Sequence, residues 1–231
     1  MRAKIIAEQR GRSASRASGA LRCALVVLAL AAGDLRAQTD AERFFEAVEE
    51  GKEIYAEGLI ARGVVAADAR NEAGETPLHA AVEKGMGALA ASLLKAGAAV
   101  SARSKTGATP LHLAALHADP ALAELLLAAR ADKDALNADG ETPLHWAALT
   151  GNARVVERLL QRGADANLRD AKGNLPLHGA ADGDYGDIVR LLLPHTKEPQ
   201  AKNRDGRSAA EVARARGFGD LAQALERYSH R

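Results

Sequence analysis

The apolar residues of this chain fall in short paired runs separated by polar, glycine-containing stretches. "GETPLHWAALTG" at 140–151 is followed by "VVERLLQRG" at 155–163, where Val155, Val156, Leu159 and Leu160 share one face of a 3.6-residue period. The same pairing joins "GETPLHAAVEKG" to "ALAASLLKAG", "GATPLHLAALHA" to "ALAELLLAAR", and "GNLPLHGAADGD" to "IVRLLLPH". The first run of each pair opens with Thr-Pro in three cases. A capping side chain followed by a residue that needs no N–H is a helix start. The second run predicts a helix of two to three turns, and Gly97 and Gly163 close it at the left-handed position after its last carbonyls. Stretches such as "NLRDAKG" and "ALNADG" predict projecting turns.

These units repeat in strict register. Pro77, Pro110, Pro143 and Pro176 are 33 residues apart, and Gly74, Gly107, Gly140, Gly173 and Gly206 keep the same step. A pair of short helices cannot bury its own apolar face, so neighbouring units must stack. The signature T-P-L-H-x-A-A, nearly unaltered three times, resembles the ankyrin repeat over about residues 40–231. The resemblance implies an all-α solenoid of helix-turn-helix units with projecting β-turn or hairpin loops. It divides the chain into a degenerate N-terminal cap (38–73), repeats at 74–106, 107–139, 140–172 and 173–205, and a C-terminal cap (206–231). The caps lack the signature and are expected to turn polar outer faces to water. Three departures stand out: Leu175 replaces the signature threonine, Arg130 takes the place of Gly97 and Gly163, and Pro194 cuts one second helix short. The stack is expected to be loosest after Pro194.

Composition fits this picture: 47% of residues are hydrophobic but only 3% aromatic, which suits closely approaching helices. The net charge of +1 hides an asymmetry. Residues 1–37 carry seven basic and two acidic side chains, leaving a remainder of 24 basic and 28 acidic, a net of −4. That acidic body has no electrostatic footprint for nucleic acid or anionic lipid. The basic, Ser/Ala-rich front end leads into the apolar run "CALVVLALAAG" at 23–33 and the small residue Ala37. Residues 1–37 therefore read as a signal peptide, the apolar run being shorter than the roughly 20 residues that span a bilayer comfortably. The expected location is a periplasm; the alternatives are secretion, or inner-membrane anchoring by an uncleaved signal. Cys23 is the only cysteine, so cleavage after Ala37 would leave no disulfide and no thiolate chemistry.

His79, His112, His145 and His178 occupy one repeating position beside Thr76, Thr109, Thr142 and Leu175. The family resemblance gives these imidazoles, with Pro77, Pro110, Pro143 and Pro176, a structural role: each bonds within its own turn and to the next repeat. Packed helices lie roughly 10 Å apart, while zinc–nitrogen bonds are about 2 Å, so the ladder is not a metal site. Trp146 leaves two readings, inter-repeat packing or a partner-facing anchor. The resemblance puts the last positions of each first helix on a concave, solvent-facing side: Glu83 and Lys84, Leu116 and His117, Leu149 and Thr150. Leu116 and Leu149 with Trp146, rimmed by charges, read as an interface centre. The turn tips extend that surface through Lys105, Thr106, Asp139, Glu141, Lys172 and Asn174. No nucleophile elbow, H-E-x-x-H, P-loop or G-x-G-x-x-G motif occurs. "ADGDYGD" at 181–187 resembles an acidic Ca²⁺ loop faintly and lacks its terminal glutamate.

The expectation is a non-enzymatic, monomeric, cofactor-free scaffold. It binds a protein partner as an accessory, chaperone or immunity partner of another exported protein, and binds neither nucleic acid nor, with the signal removed, a membrane. The alternatives are a secreted effector that binds a host protein, a metal-handling periplasmic protein using His112, His117 and the acidic turns, and a membrane-tethered scaffold.

Overall fold

The computed structural model describes residues 39–228. The signal-peptide reading of residues 1–37 lies outside them. The described residues form six helix pairs in sequence. These are α1 (Asp40–Glu49) with α2 (Glu53–Ala61), α3 (Pro77–Glu83) with α4 (Gly87–Lys95), and α5 (Pro110–Ala114) with α6 (Ala121–Ala128). They continue with α7 (Pro143–Thr150) and α8 (Ala153–Gln161), α9 (Pro176–Asp182) and α10 (Gly186–Leu192), and α11 (Ala209–Ala215) and α12 (Gly219–Tyr228). No strand occurs among the described residues. Each first helix packs on the first helix of the next unit, and the second helices of the first five units likewise stack on one another. The core is a continuous seam of Leu, Val, Ile and Ala between these rows, with Phe44 at one end and Leu225 at the other.

The starts follow the sequence. Thr39 caps α1 through a reciprocal box with Glu42, and Ser208 caps α11 with Glu211 in the same way. Four intervening first helices carry proline at N1. Between units the chain projects as a narrow turn closed by backbone bonds, as from Asn137 N–H to Glu141 O (2.9 Å). Successive turns are joined tip to tip: Lys105 N–H donates to Ala73 O, Ala138 to Thr106, Ala171 to Asp139 and Arg204 to Lys172. Arginines brace the same row. Arg70 Nη1 donates to Gly74 O (2.6 Å) and Arg103 O (2.7 Å), Arg103 Nη2 donates to Leu136 O, and Arg169 Nη1 donates to Gly173 O (2.9 Å) and Lys202 O (3.0 Å).

Arg130 takes φ +64°, the left-handed conformation that Gly97 and Gly163 adopt at the equivalent place. The helix end does not rearrange to spare the arginine its strain. The segment after Pro194 departs from expectation. A 3₁₀ turn, Leu193–His195, replaces the missing last turn of α10, and buried Thr196 donates its hydroxyl to Leu192 O (2.9 Å). Asn167 ties the far side, donating to His195 O (3.0 Å) and accepting from Lys197 N–H (2.7 Å). Side-chain bonds thus stand in for the absent G-A-D turn. The polar outer face expected of the N-terminal cap holds for α1 only, because on α2 Ile54 is 86% and Tyr55 49% exposed.

Candidate functional site

The four repeating histidines are all buried. Nε2 of each faces a carbonyl of the following unit: His79 with Ala108 (3.1 Å), His112 with Glu141 (3.0 Å), His145 with Asn174 (3.1 Å) and His178 with Arg207 (3.2 Å). A carbonyl only accepts, so Nε2 carries the proton and Nδ1 presents its lone pair. Nδ1 accepts the N–H of the helix-capping residue in every case, at 3.1 Å. The hydroxyls of Thr76, Thr109 and Thr142 add a second contact at 2.8–2.9 Å. Leu175 has no hydroxyl to offer, so the fourth imidazole keeps the backbone contact alone. Burial lowers the pKa of all four rings, that of His79 and His112 to about 4. Neutral, spoken-for and one per unit, these rings fasten the stack. Among the described residues no three His, Cys, Asp or Glu side chains are grouped to hold a metal.

Trp146 joins the packed seam. It is 3% exposed, its ring meets His112 edge-on at 5.2 Å and 75°, and its Nε1–H donates to the Glu141 carboxylate at 2.7 Å. Of the two readings, the geometry realises packing, and it enlists Glu141, a proposed tip contact, as the partner of the indole. Thr150, expected in solvent, is also buried. Its hydroxyl donates to Trp146 O at 2.7 Å, and it accepts from the Asn152 amide at 3.0 Å. A helix-end threonine can turn back onto its own carbonyls, and here it does. Asn152, which the sequence reading passed over, is buried beside it and donates to Ala115 O of the preceding unit at 2.7 Å.

The other helix-end positions partly link to one another. Lys84 pairs with Glu49 of the cap at 2.6 Å, and His117 Nε2 donates to Val82 O at 2.7 Å. Arg216 forks onto Asp182 at 2.6 and 3.0 Å, so the faintly Ca²⁺-like turn lends its first carboxylate to an ion pair. Glu83, Leu116 and Leu149 remain half-buried on this strip, and Gly179 lies against Leu149, where an added Cβ would come within 3.4 Å. Lys105 and Lys172 are exposed at the tips, with Thr106, Asp139 and Asn174 half-exposed beside them. The structure therefore leaves Leu116, His117 and Leu149 half-buried at the ends of their first helices, and withdraws Trp146 and Thr150 into the core. The arginine brace was legible as Arg70, Arg103 and Arg169 in the 33-residue step, but its carbonyl acceptors were not.

The comparisons agree with this architecture. A family model described as ankyrin repeats (3 copies) matches residues 44–137 and 111–205. None of the curated proteins compared with the chain matches it. The matched segments span most of the sequence and contain all four fastening histidines, so the chain belongs to the ankyrin-repeat family.

Proposed function

We propose that this protein is an exported, non-enzymatic scaffold that holds another protein on its concave strip and turn tips. Ankyrin repeats are generic protein–protein interaction modules, and the finer reading rests on one observation. Leu116 and Leu149, at equivalent positions of adjacent repeats, stay partly exposed on a backbone fastened by histidines behind them. A preorganised surface of this kind loses little entropy on binding, and two neighbouring apolar side chains supply its centre. Glu83 and Lys84 lie on one side of them, with Lys105 and Lys172 at the tips. Export is read from the basic front end, the apolar run at 23–33 and Ala37, and places the partner among exported proteins, with this chain as its accessory, chaperone or immunity partner.

The test is affinity capture from the source organism's periplasmic extract, with the parent beside Leu116→Glu/Leu149→Glu and Lys105→Glu/Lys172→Glu. A protein retained by the parent and lost with the leucine pair supports the strip as the site. Loss with the lysine pair alone moves the site to the tips. Capture of nothing by the parent, from an extract shown to contain exported proteins, overturns the reading. N-terminal sequencing of the natural product tests export: a start at Gln38 supports cleavage, and retention of Met1 refutes it.

A further inference from the structure

The row of projecting turns repeats one small arrangement, and the turns differ in what fills it. In the turn nearest the N-terminus Arg70 folds across its own loop. Its Nη1 donates to Gly74 O (2.6 Å) and to Arg103 O of the next turn (2.7 Å). Arg103 in turn gives Nη2 to Leu136 O. Arg169 repeats the first pattern, with Gly173 O (2.9 Å) and Lys202 O (3.0 Å). The third turn differs, because the 33-residue step places Leu136 where the others have arginine. The equivalent acceptors there are Gly140 O and Arg169 O, and no donor among the described residues reaches either. The backbone that frames them is unchanged. Asn137 N–H donates to Glu141 O (2.9 Å) within the loop, and Ala171 N–H to Asp139 O (2.8 Å) across to the next, as Arg204 N–H does to Lys172 O (2.9 Å) at a braced turn. The third turn thus keeps the acceptors of a guanidinium brace and supplies no donor for them.

The residue in the arginine's place decides what can enter. A leucine side chain is the shorter one and stops before the point where Nη1 would meet the two carbonyls. Leu136 is 42% exposed, so it offers an apolar surface for the methylene stem of an incoming long side chain. A carbonyl accepts and never donates, so the entering group must be a donor. Charged donors make the stronger bonds, and guanidinium, more weakly hydrated than ammonium, gives up water more readily at an exposed site. Neighbouring guanidinium groups are tolerated in this row, since Arg70 bonds to the carbonyl of Arg103 itself. Half-exposed Asp139 lies on the tip of the same turn and contributes negative charge. Leu136 and Arg169 are exposed and Gly140 half-exposed, so the slot is shallow. A small free cation gains little there, while a side chain already held by further contacts loses less freedom on entering.

We propose that the third turn is a docking point for an arginine side chain of the protein partner, its guanidinium donating to Gly140 O and Arg169 O and its stem lying on Leu136. The partner's part in this rests on the proposed scaffold role; the slot does not. Lys105 and Lys172, on the tips to either side, bound the contact.

The experiment is an NMR titration of nitrogen-15-labelled protein with the peptide Ac-Gly-Ala-Arg-Ala-Gly-NH2 over roughly 1–50 mM, the range of a single weak contact. A bond to a carbonyl polarises its own peptide group, so the reporters are the amides of Glu141 and Asp170, which share peptide planes with Gly140 O and Arg169 O. Saturable shifts of both are expected, with none at Glu75 and Ser104, where Arg70 already fills the site. Leu136→Arg should abolish the response by supplying the chain's own donor. Arg70→Leu should create it at Glu75 and Ser104, a gain that a chance surface contact does not produce. The lysine peptide should bind roughly threefold more weakly or worse. The spectrum of each variant reports its fold directly. No saturable shift by 50 mM, an undiminished response in Leu136→Arg, or a lysine peptide that binds as tightly overturns the proposal. Free L-arginine binding more tightly than the peptide overturns the partner assignment and makes the slot an amino-acid site. Because the probe is a defined peptide, this result and that of the affinity capture succeed or fail separately.

Discussion

Trp146 separates a packing role from a binding role in one experiment. Truncation to alanine removes a buried indole, its edge contact with His112 and the bond to Glu141. Buried Trp→Ala changes cost about 3–5 kcal/mol, and the half-wet Glu141 bond places this one toward the middle of that range. Trp146→Phe keeps most of the ring packing and loses the N–H donor. Glu141 retains its bond from Asn137 Nδ2 (2.9 Å), so the expected cost is only about 1–2 kcal/mol. Urea unfolding followed by circular dichroism measures both changes. Trp146 is also the only tryptophan, so native fluorescence reports this site alone and should be blue-shifted and poorly quenched by acrylamide. An alanine variant destabilised by less than about 1 kcal/mol, or red emission typical of a wet indole, would refute the packing argument. If such a variant also lost partner capture, the indole would be an anchor after all.

Three further outcomes follow from the departures from repeat symmetry and from the buried rings. Arg130→Gly should raise stability by up to about 1 kcal/mol, because Arg130 holds φ +64° where its counterparts are glycine; a fall in the urea midpoint would contradict this. Leu136, 42% exposed, breaks the brace of Arg70, Arg103 and Arg169, so Leu136→Arg should add bonds to Gly140 O and Arg169 O and about 0.5–1 kcal/mol, read as a higher melting temperature. For the histidines the folded pKa lies below the unfolded value near 6.5, so the unfolded chain takes up protons first. Their contribution is complete above about pH 6.5 and is lost as pH falls toward 4, by an amount of the order of 3 kcal/mol each for His79 and His112. Thermal melts from pH 7.5 to 4.5 should show that fall. His112→Gln should be less stable at pH 7.5 with a shallower slope, and parallel curves would exclude the linkage.

What the sequence made legible here is what repeats. A 33-residue step needs only local signals, a cap, a proline and a helix-ending glycine, and each is specified by the residue itself. The strain at Arg130 was readable for that reason: the left-handed position is set by where the helix must end, and the neighbouring repeats show glycine there. What was not legible depends on which way a side chain turns in the crowded space between units. Trp146 and Leu113 hold the same position, one buried and the other half-exposed; Glu141 stands where it accepts a hydrogen bond from the indole N–H, and the repeat before it has Ala108 in that place. Thr150 and Leu149 are adjacent, yet only the threonine can fold its hydroxyl onto Trp146 O and leave solvent. The N-terminal cap shows the same limit from the other side. Its polar α1 matched the expectation for an end unit, while Ile54 and Tyr55 lie in a helix that reads as an ordinary apolar-periodic run. Only alignment with five structurally equivalent helices shows that Tyr55 is exposed at a position that is buried in every other unit. In a repeat protein, the informative residues are those that break the symmetry of a position, and the physics of the intact copies says what each break costs or offers.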